Sequence, residues 1–187
     1  MQLTRTLIVA AALDILDSYG LADMTMRRVA SQLEVAPGAL YWHVSNKQQL
    51  ISAIADQILA SVLDDASLST PTDITEQLRT AMLLRRDGAE LVSAALSMPD
   101  SQTRADVEKL LADSLDPALD SGTRRIGAAT LLHFVLGAAA LEQSQRQFAF
   151  DTGTTIDGLD EAQEDFARGV DLILAGLSQP PTSAAVT

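Results

Sequence analysis

Cysteine is absent from the 187 residues. That excludes disulfides, thiolate zinc sites and cysteine nucleophiles, and it suits a reducing, cytoplasmic setting. Histidine occurs only as His43 and His133, so no closely spaced His/Glu metal motif exists, and no glycine-rich phosphate loop is present either. The chain therefore reads as a non-enzyme with no metal and no cofactor. Aromatic residues make up 4%, which disfavours an all-β fold. Six prolines and ten glycines leave long stretches uninterrupted. A secretory leader is not expected, because the polar start Gln2–Thr6 runs straight into a patterned helix.

What fills the sequence is alanine and leucine, both helix formers, in a composition that is 47% hydrophobic. The expectation is an all-α protein. Net charge is −12, but it is unevenly placed. In residues 1–47, Arg5, Arg27, Arg28 and Lys47 balance Asp14, Asp17, Asp23 and Glu34, so the whole excess of acid lies beyond them. A neutral head on an acidic body can meet a polyanion such as DNA in one orientation only.

Apolar spacing and punctuation predict helices over 4–19, 26–33, 37–43 and 47–63. Gly20 stops the first, Thr25 caps the second, and Pro37 opens the third. The stretch 67–72 reads as a loop. Helices follow over 73–86, up to Ser97, over 102–115 and over 123–149, with a loop over 151–158 and a last helix from Leu159 to Leu177. Residues 179–187 read as a flexible tail. The run Ile126–Leu141 carries no charge, but its sixteen residues fall short of the ~20 needed to cross a membrane, and His133 lies inside it. A buried core or interface helix is the reading, with no membrane partner.

The most informative stretch is TMRRVASQLEVAPGALYWHVSNK, residues 25–47. Two short helices three residues apart cannot bury a core alone and need the flanking helices. This is the helix-turn-helix arrangement, whose second helix enters the major groove. The small residues Ala36–Ala39 let that helix end lie close to DNA, with free N–H groups suited to phosphate. Tyr41, Trp42 and His43 present polar-tipped aromatics on successive faces, at least one of them exposed. Arg27 suits a bidentate contact to guanine and Lys47 a phosphate. Tyr41 reads equally well as a packed aromatic and as a phosphate contact.

This stretch resembles the head of the tetracycline repressor (TetR) family, and Leu40–Val44 followed by Asn46-Lys47 is especially similar to the tetracycline repressors themselves. The likeness extends to Arg86–Ala89, His133–Gly137 and Phe166–Leu177, and so touches most of the chain. It implies a regulator, by family habit a repressor, with a three-helix DNA-binding head (1–46) and a helical effector-binding and dimerisation body (47–178). Thr25, Met26, Arg27, Pro37, Gly38, Ala39, Tyr41, Trp42, His43 and Lys47 would then form the DNA surface of a homodimer reading a palindromic operator. Glu34 departs from the glycine usual in the turn; a left-handed conformation there costs a non-glycine residue about 1 kcal/mol. Pro37, Gly38 and Ala39 replace more polar base-reading residues, so a different operator is expected. A helical ligand-binding protein without specific DNA binding is the runner-up.

The resemblance also locates an effector pocket, at Leu63, Ile74, Leu78, Val92, Leu96 and His133. The place of a metal-binding glutamate falls on Leu141 or Glu142, depending on a one-residue shift. This set lacks the oxygen ligands a hard cation needs, so the expected effector is small and mainly hydrophobic rather than a magnesium–tetracycline complex. His133 reads either as an effector ligand or as a core or interface histidine.

Overall fold

Helix ends decide where this chain bends. The computed structural model describes residues 2–155 and 159–178, and among these every regular element is a helix. Helix α1 (Arg5–Tyr19) opens where Thr4 Oγ1 accepts from the Leu7 N–H at 3.2 Å, and closes at Gly20 with φ 86°. The short α2 (Met26–Gln32) is capped by Thr25, whose Oγ1 accepts from Arg28 N–H at 3.2 Å. Between α2 and α3, Glu34 takes a left-handed φ of 55°, the strained conformation in which glycine is the usual occupant.

Helix α3 is only Pro37–Leu40, shorter than the 37–43 expected. The Leu40 carbonyl accepts from both His43 N–H (2.9 Å) and Val44 N–H (2.8 Å). That closes the chain into a turn and sends Val44 into the core. Helix α4 (Lys47–Leu63) starts with a reciprocal cap: Asn46 Oδ1 accepts from Gln49 N–H at 2.8 Å, and Gln49 Oε1 accepts from Ser45 N–H at 3.0 Å.

The remaining helices are α5 (Pro71–Leu83), α6 (Gly88–Leu96), α7 (Gln102–Ser114), α8 (Ser121–Thr152) and α9 (Leu159–Leu177). Helix α5 starts and ends earlier than the 73–86 expected. Pro71 fits its first turn, where a missing N–H costs nothing, and Thr70 Oγ1 caps Asp73 N–H at 3.1 Å. Helix α8 outruns 123–149 at both ends. Asp120 Oδ1 takes the Gly122 and Thr123 N–H groups at one end, and left-handed Gly153 closes the other. Asp151 and Thr152, read as loop, are thus helical, while the rest of that loop at 156–158 and the tail 179–187 lie outside the described residues.

The first three helices and the start of α4 share one apolar centre, in which Ile8, Ile15, Leu16, Val29, Leu40, Val44 and Leu50 are buried. Each such side chain contributes roughly 1.5–3 kcal/mol over its exposed state. Helix α4 packs on α1 and also on α5, α6 and α7, so one rigid element joins head and body. Helix α8 is long and apolar enough to cross a membrane, yet it packs against α5, α6, α7 and α9. Leu131, Leu132, Val135 and Ala139 are buried there, as befits a core helix.

A polar joint completes the head–body contact. Asp17 accepts from Arg85 Nη1 at 2.6 Å, the Ser18 carbonyl from Arg86 Nη1 at 3.2 Å, and Asp87 Oδ2 from Leu21 N–H at 2.7 Å. On the body side Gln143 of α8 grips both ends of the same turn, donating to the Arg85 carbonyl (2.7 Å) and accepting from Ala89 N–H (2.9 Å).

Candidate nucleic-acid interface

The second short helix is held from below and bare above. Leu40 and Val44, at either end of the turn, are buried and fix its orientation. Between them Tyr41 is 52% exposed and Trp42 90% exposed, and His43 is also exposed. All three aromatics therefore face away from the core. Leaving a tryptophan side chain in water forfeits its large burial free energy, so nothing in the fold accounts for its position. Pro37 and Gly38 are exposed beside them and Ala39 is half-buried. A Cβ built on Gly38 meets nothing within 4 Å, so this edge is open to a close-approaching surface.

The flanking residues divide between structure and surface. Thr25 is exposed but engaged as the α2 cap, and Met26 is half-buried against the core. Arg27 is exposed, whereas Arg28 is tied down, bonded to Asp23 at 2.5 Å and stacked 3.8 Å from the centroid of the Tyr19 ring. Of the two adjacent arginines Arg27 is thus the one left for a partner. Lys47, half-buried, stands at the first position of α4. The ten residues singled out from the sequence lie along one continuous stretch from the start of α2 to the start of α4.

The effector set falls differently. Ile74, Leu78, Val92 and Leu96 are buried side chains of α5 and α6, Leu63 is half-buried at the end of α4, and His133 is exposed on α8. The first four are packed as core, and His133 points away from the α8 face that carries Leu131, Leu132 and Val135. Among the described residues no group of three or more His, Asp or Glu side chains is placed to hold a metal ion. Of the two candidates for the glutamate position, Leu141 is exposed and Glu142 is buried.

Sequence reasoning missed what Glu142 does. It accepts from Arg79 Nε at 2.9 Å and lies 2.6 Å from its Nη2, and it accepts from Arg146 Nη2 at 2.5 Å. Arg79 also donates to Gln163 Oε1 at 3.2 Å and sits 5.2 Å from the Phe166 ring centroid. A signal existed: Arg79 interrupts the buried stripe Ile74, Thr75, Leu78, Met82 of α5, a place where an unpaired charge is not tolerated.

A bundle of helices that carries two short, outward-facing helices on a rigid connector defines a helix-turn-helix protein. The chain belongs to the tetR family of bacterial regulatory proteins, whose family model matches residues 8–54. It is 30% identical to the class A tetracycline repressor of transposon 1721 from Escherichia coli, over 92% of this chain and 89% of that protein. Among solved structures it is similar to BioQ of Mycobacterium smegmatis, with a TM-score of 0.85 and 37% identity over 94% of this chain and 98% of that one. It is also similar to BioQ bound to its natural double-stranded DNA operator (TM-score 0.78, 36% identity, 96% and 100% covered). ActR of Streptomyces coelicolor in complex with (S)-DNPA is 27% identical, with a TM-score of 0.71 over 95% and 98% of the two chains. The protein is therefore a TetR-family transcriptional regulator.

Proposed function

We propose that this protein is a repressor that binds a palindromic operator as a homodimer and is released by a small, mainly hydrophobic effector. The observation that carries the DNA half is the exposure of Trp42, 90% in solvent on a turn whose two ends are anchored in the core. Residues 1–46 act as the head, with Arg27 reading a base and Tyr41, Trp42, His43 and Lys47 meeting the backbone and groove wall. The similarity to BioQ with its operator supports this reading.

One short helix reads few bases, so two heads roughly 34–36 Å apart are needed for specificity. Residues 47–178 supply the means of pairing. Ile126, Leu141 and Phe148 of α8 and Leu172 of α9 are exposed apolar side chains. Gly137 and Gly176 have open space where a Cβ would stand, which favours close approach of a second copy. The similarity to ActR with a bound small molecule supports an effector acting on the body. Ile74, Leu78, Val92 and Leu96 are the apolar wall it would press on; with these side chains packed, binding there requires α5 and α6 to part.

The test is selection of bound sequences from random duplex DNA, repeated with Arg27→Ala and Trp42→Ala. A palindrome is expected. Arg27→Ala should relax one base position in each half-site at a cost of about 1–3 kcal/mol. Trp42→Ala should weaken binding while stability stays within about 0.5 kcal/mol. No enrichment, even at low salt where phosphate contacts are strongest, would sink the reading.

A further inference from the structure

Four of the 13 basic residues in this chain of net charge −12 line two adjoining clefts. The larger, of about 670 Å³, lies among α5, α8 and α9, with Arg79, Leu83, Leu84 and Arg146 in its lining. The smaller, of about 220 Å³, shares Leu83, Leu84 and Arg146 with it and continues to Arg85, Arg86 and Asp87, whose carboxylate accepts from Leu21 N–H. They form one groove that runs from the Arg79–Glu142 pair to the turn that holds the head.

Guanidinium donors at the groove's centre outnumber the acceptors they meet. Arg79 and Arg146 share the single buried carboxylate of Glu142. Arg79 is spent, with its remaining bond going to Gln163. Arg146 is half-exposed, and among the described residues it makes only the one bond to Glu142. The Arg86 guanidinium has no carboxylate partner among the described residues and donates only to the Ser18 carbonyl, while its backbone N–H donates to Asp17 Oδ1 at 3.3 Å. Beside these guanidinium groups Leu84 is 75% exposed and Leu83 is half-buried, an apolar shelf next to unspent donors. Glu164, exposed, is the one carboxylate lining the larger cleft among the described residues.

We propose that this groove binds a small amphipathic carboxylate. Its head accepts from Arg146, the planar fork of guanidinium matching two carboxylate oxygens, and its hydrocarbon part lies on Leu83 and Leu84. The site is distinct from the packed wall of Ile74, Leu78, Val92 and Leu96, and it is open without any parting of helices. A consequence follows that rests on the regulator reading. An anion that draws Arg85 or Arg86 into the groove competes with Asp17 and Ser18 of α1 for the same donors, so the ligand favours a head less firmly held to the body.

The test uses the full chain without DNA, titrated calorimetrically with sodium decanoate below its micelle concentration, and separately with decan-1-ol and with inorganic phosphate. Decanoate is expected to bind once per chain, about tenfold or more tighter than either of the others. Arg146→Met should weaken decanoate about tenfold and Arg146→Lys less. Arg104→Met, on α7 and outside both clefts, should leave it unchanged. Should Arg146→Met fail to fold, Leu84→Ser at an exposed position should still weaken decanoate several-fold while phosphate is unaffected. Equal binding of decanoate and decanol, equal binding of decanoate and phosphate, or unchanged affinity in Arg146→Met or Leu84→Ser overturns the proposal. Operator binding is measured separately without decanoate. DNA binding without decanoate binding removes this site and leaves the regulator; the converse leaves the site and removes the regulator.

Discussion

Head and body use their polar residues in opposite ways. In the head the buried set is apolar, and Arg27, Tyr41, Trp42 and His43 stand outside it, unused by the fold. In the body Arg79, Glu142, Thr75 and Thr103 are buried and bonded within it. A polar side chain that the fold does not use is available to a partner, and one that the fold consumes is not. Substitutions should therefore separate function from stability in the head and confound them in the body.

The sharpest difference is expected at Glu142. Glu142→Ala leaves Arg79 buried without its carboxylate, which should cost about 3–5 kcal/mol of stability, read by urea denaturation at fixed protein concentration. Replacing the pair together, Arg79→Met with Glu142→Leu, should recover most of that loss, because the desolvation cost disappears along with the attraction. If Glu142→Ala cost no more than Trp42→Ala, the contrast between the two regions would be wrong.

Two left-handed residues repeat the comparison on a smaller scale. Asp87 (φ 52°) and Glu34 (φ 55°) are the positive-φ positions not occupied by glycine among the described residues. Asp87 earns its strain, for its carboxylate accepts from Leu21 N–H across the head–body joint. Asp87→Ala should cost about 1.5–3 kcal/mol, the worth of a charge-assisted hydrogen bond. Asp87→Asn, which tolerates the conformation and keeps an acceptor, should restore most of it. Glu34 is exposed and makes no side-chain hydrogen bond among the described residues. Glu34→Gly should therefore stabilise the protein by about 1 kcal/mol, a gain visible in the same denaturation curves.

The head was the more legible region because its signals are local. Thr25, Pro37 and the three-residue turn act over a few positions, and the conformational cost anticipated at Glu34 meets a φ of 55°. The Asn46 to Gln49 cap was equally readable from its spacing and was overlooked. What went astray locally was the length of α3, because a tertiary demand, Val44 entering the core, overrides helical continuation. The body's polar network was illegible for a different reason. Arg79 and Glu142 are 63 positions apart, and only the packing of α5 on α8 brings them together. The joint through Arg85, Asp87 and Gln143 spans similar separations. The turn itself could be read from the sequence, but its partners could not.

The smallest effect concerns how the longest helix begins. Asp120, fully exposed, caps α8, and its bonds from Thr123, hydroxyl first and then backbone, hold its carboxyl below the ordinary value of 3.8. A depressed carboxyl contributes stability that is present above its unfolded pKa and is lost as pH falls through the still lower folded value. Asp120→Asn keeps a good cap without a titrating group, so at neutral pH the variant and the parent should unfold together or nearly so. Below pH 3.8 the parent alone loses its charge-assisted cap, and the variant should gain on it in thermal melts. Asp65 is depressed as well, by its bonds from Ser67, but it titrates in both proteins and cancels from the difference. A gap that stays constant from neutral to acid would mean that the start of α8 is held by its packing against α7 rather than by this cap, and that body helices, unlike the short helices of the head, do not depend on their ends.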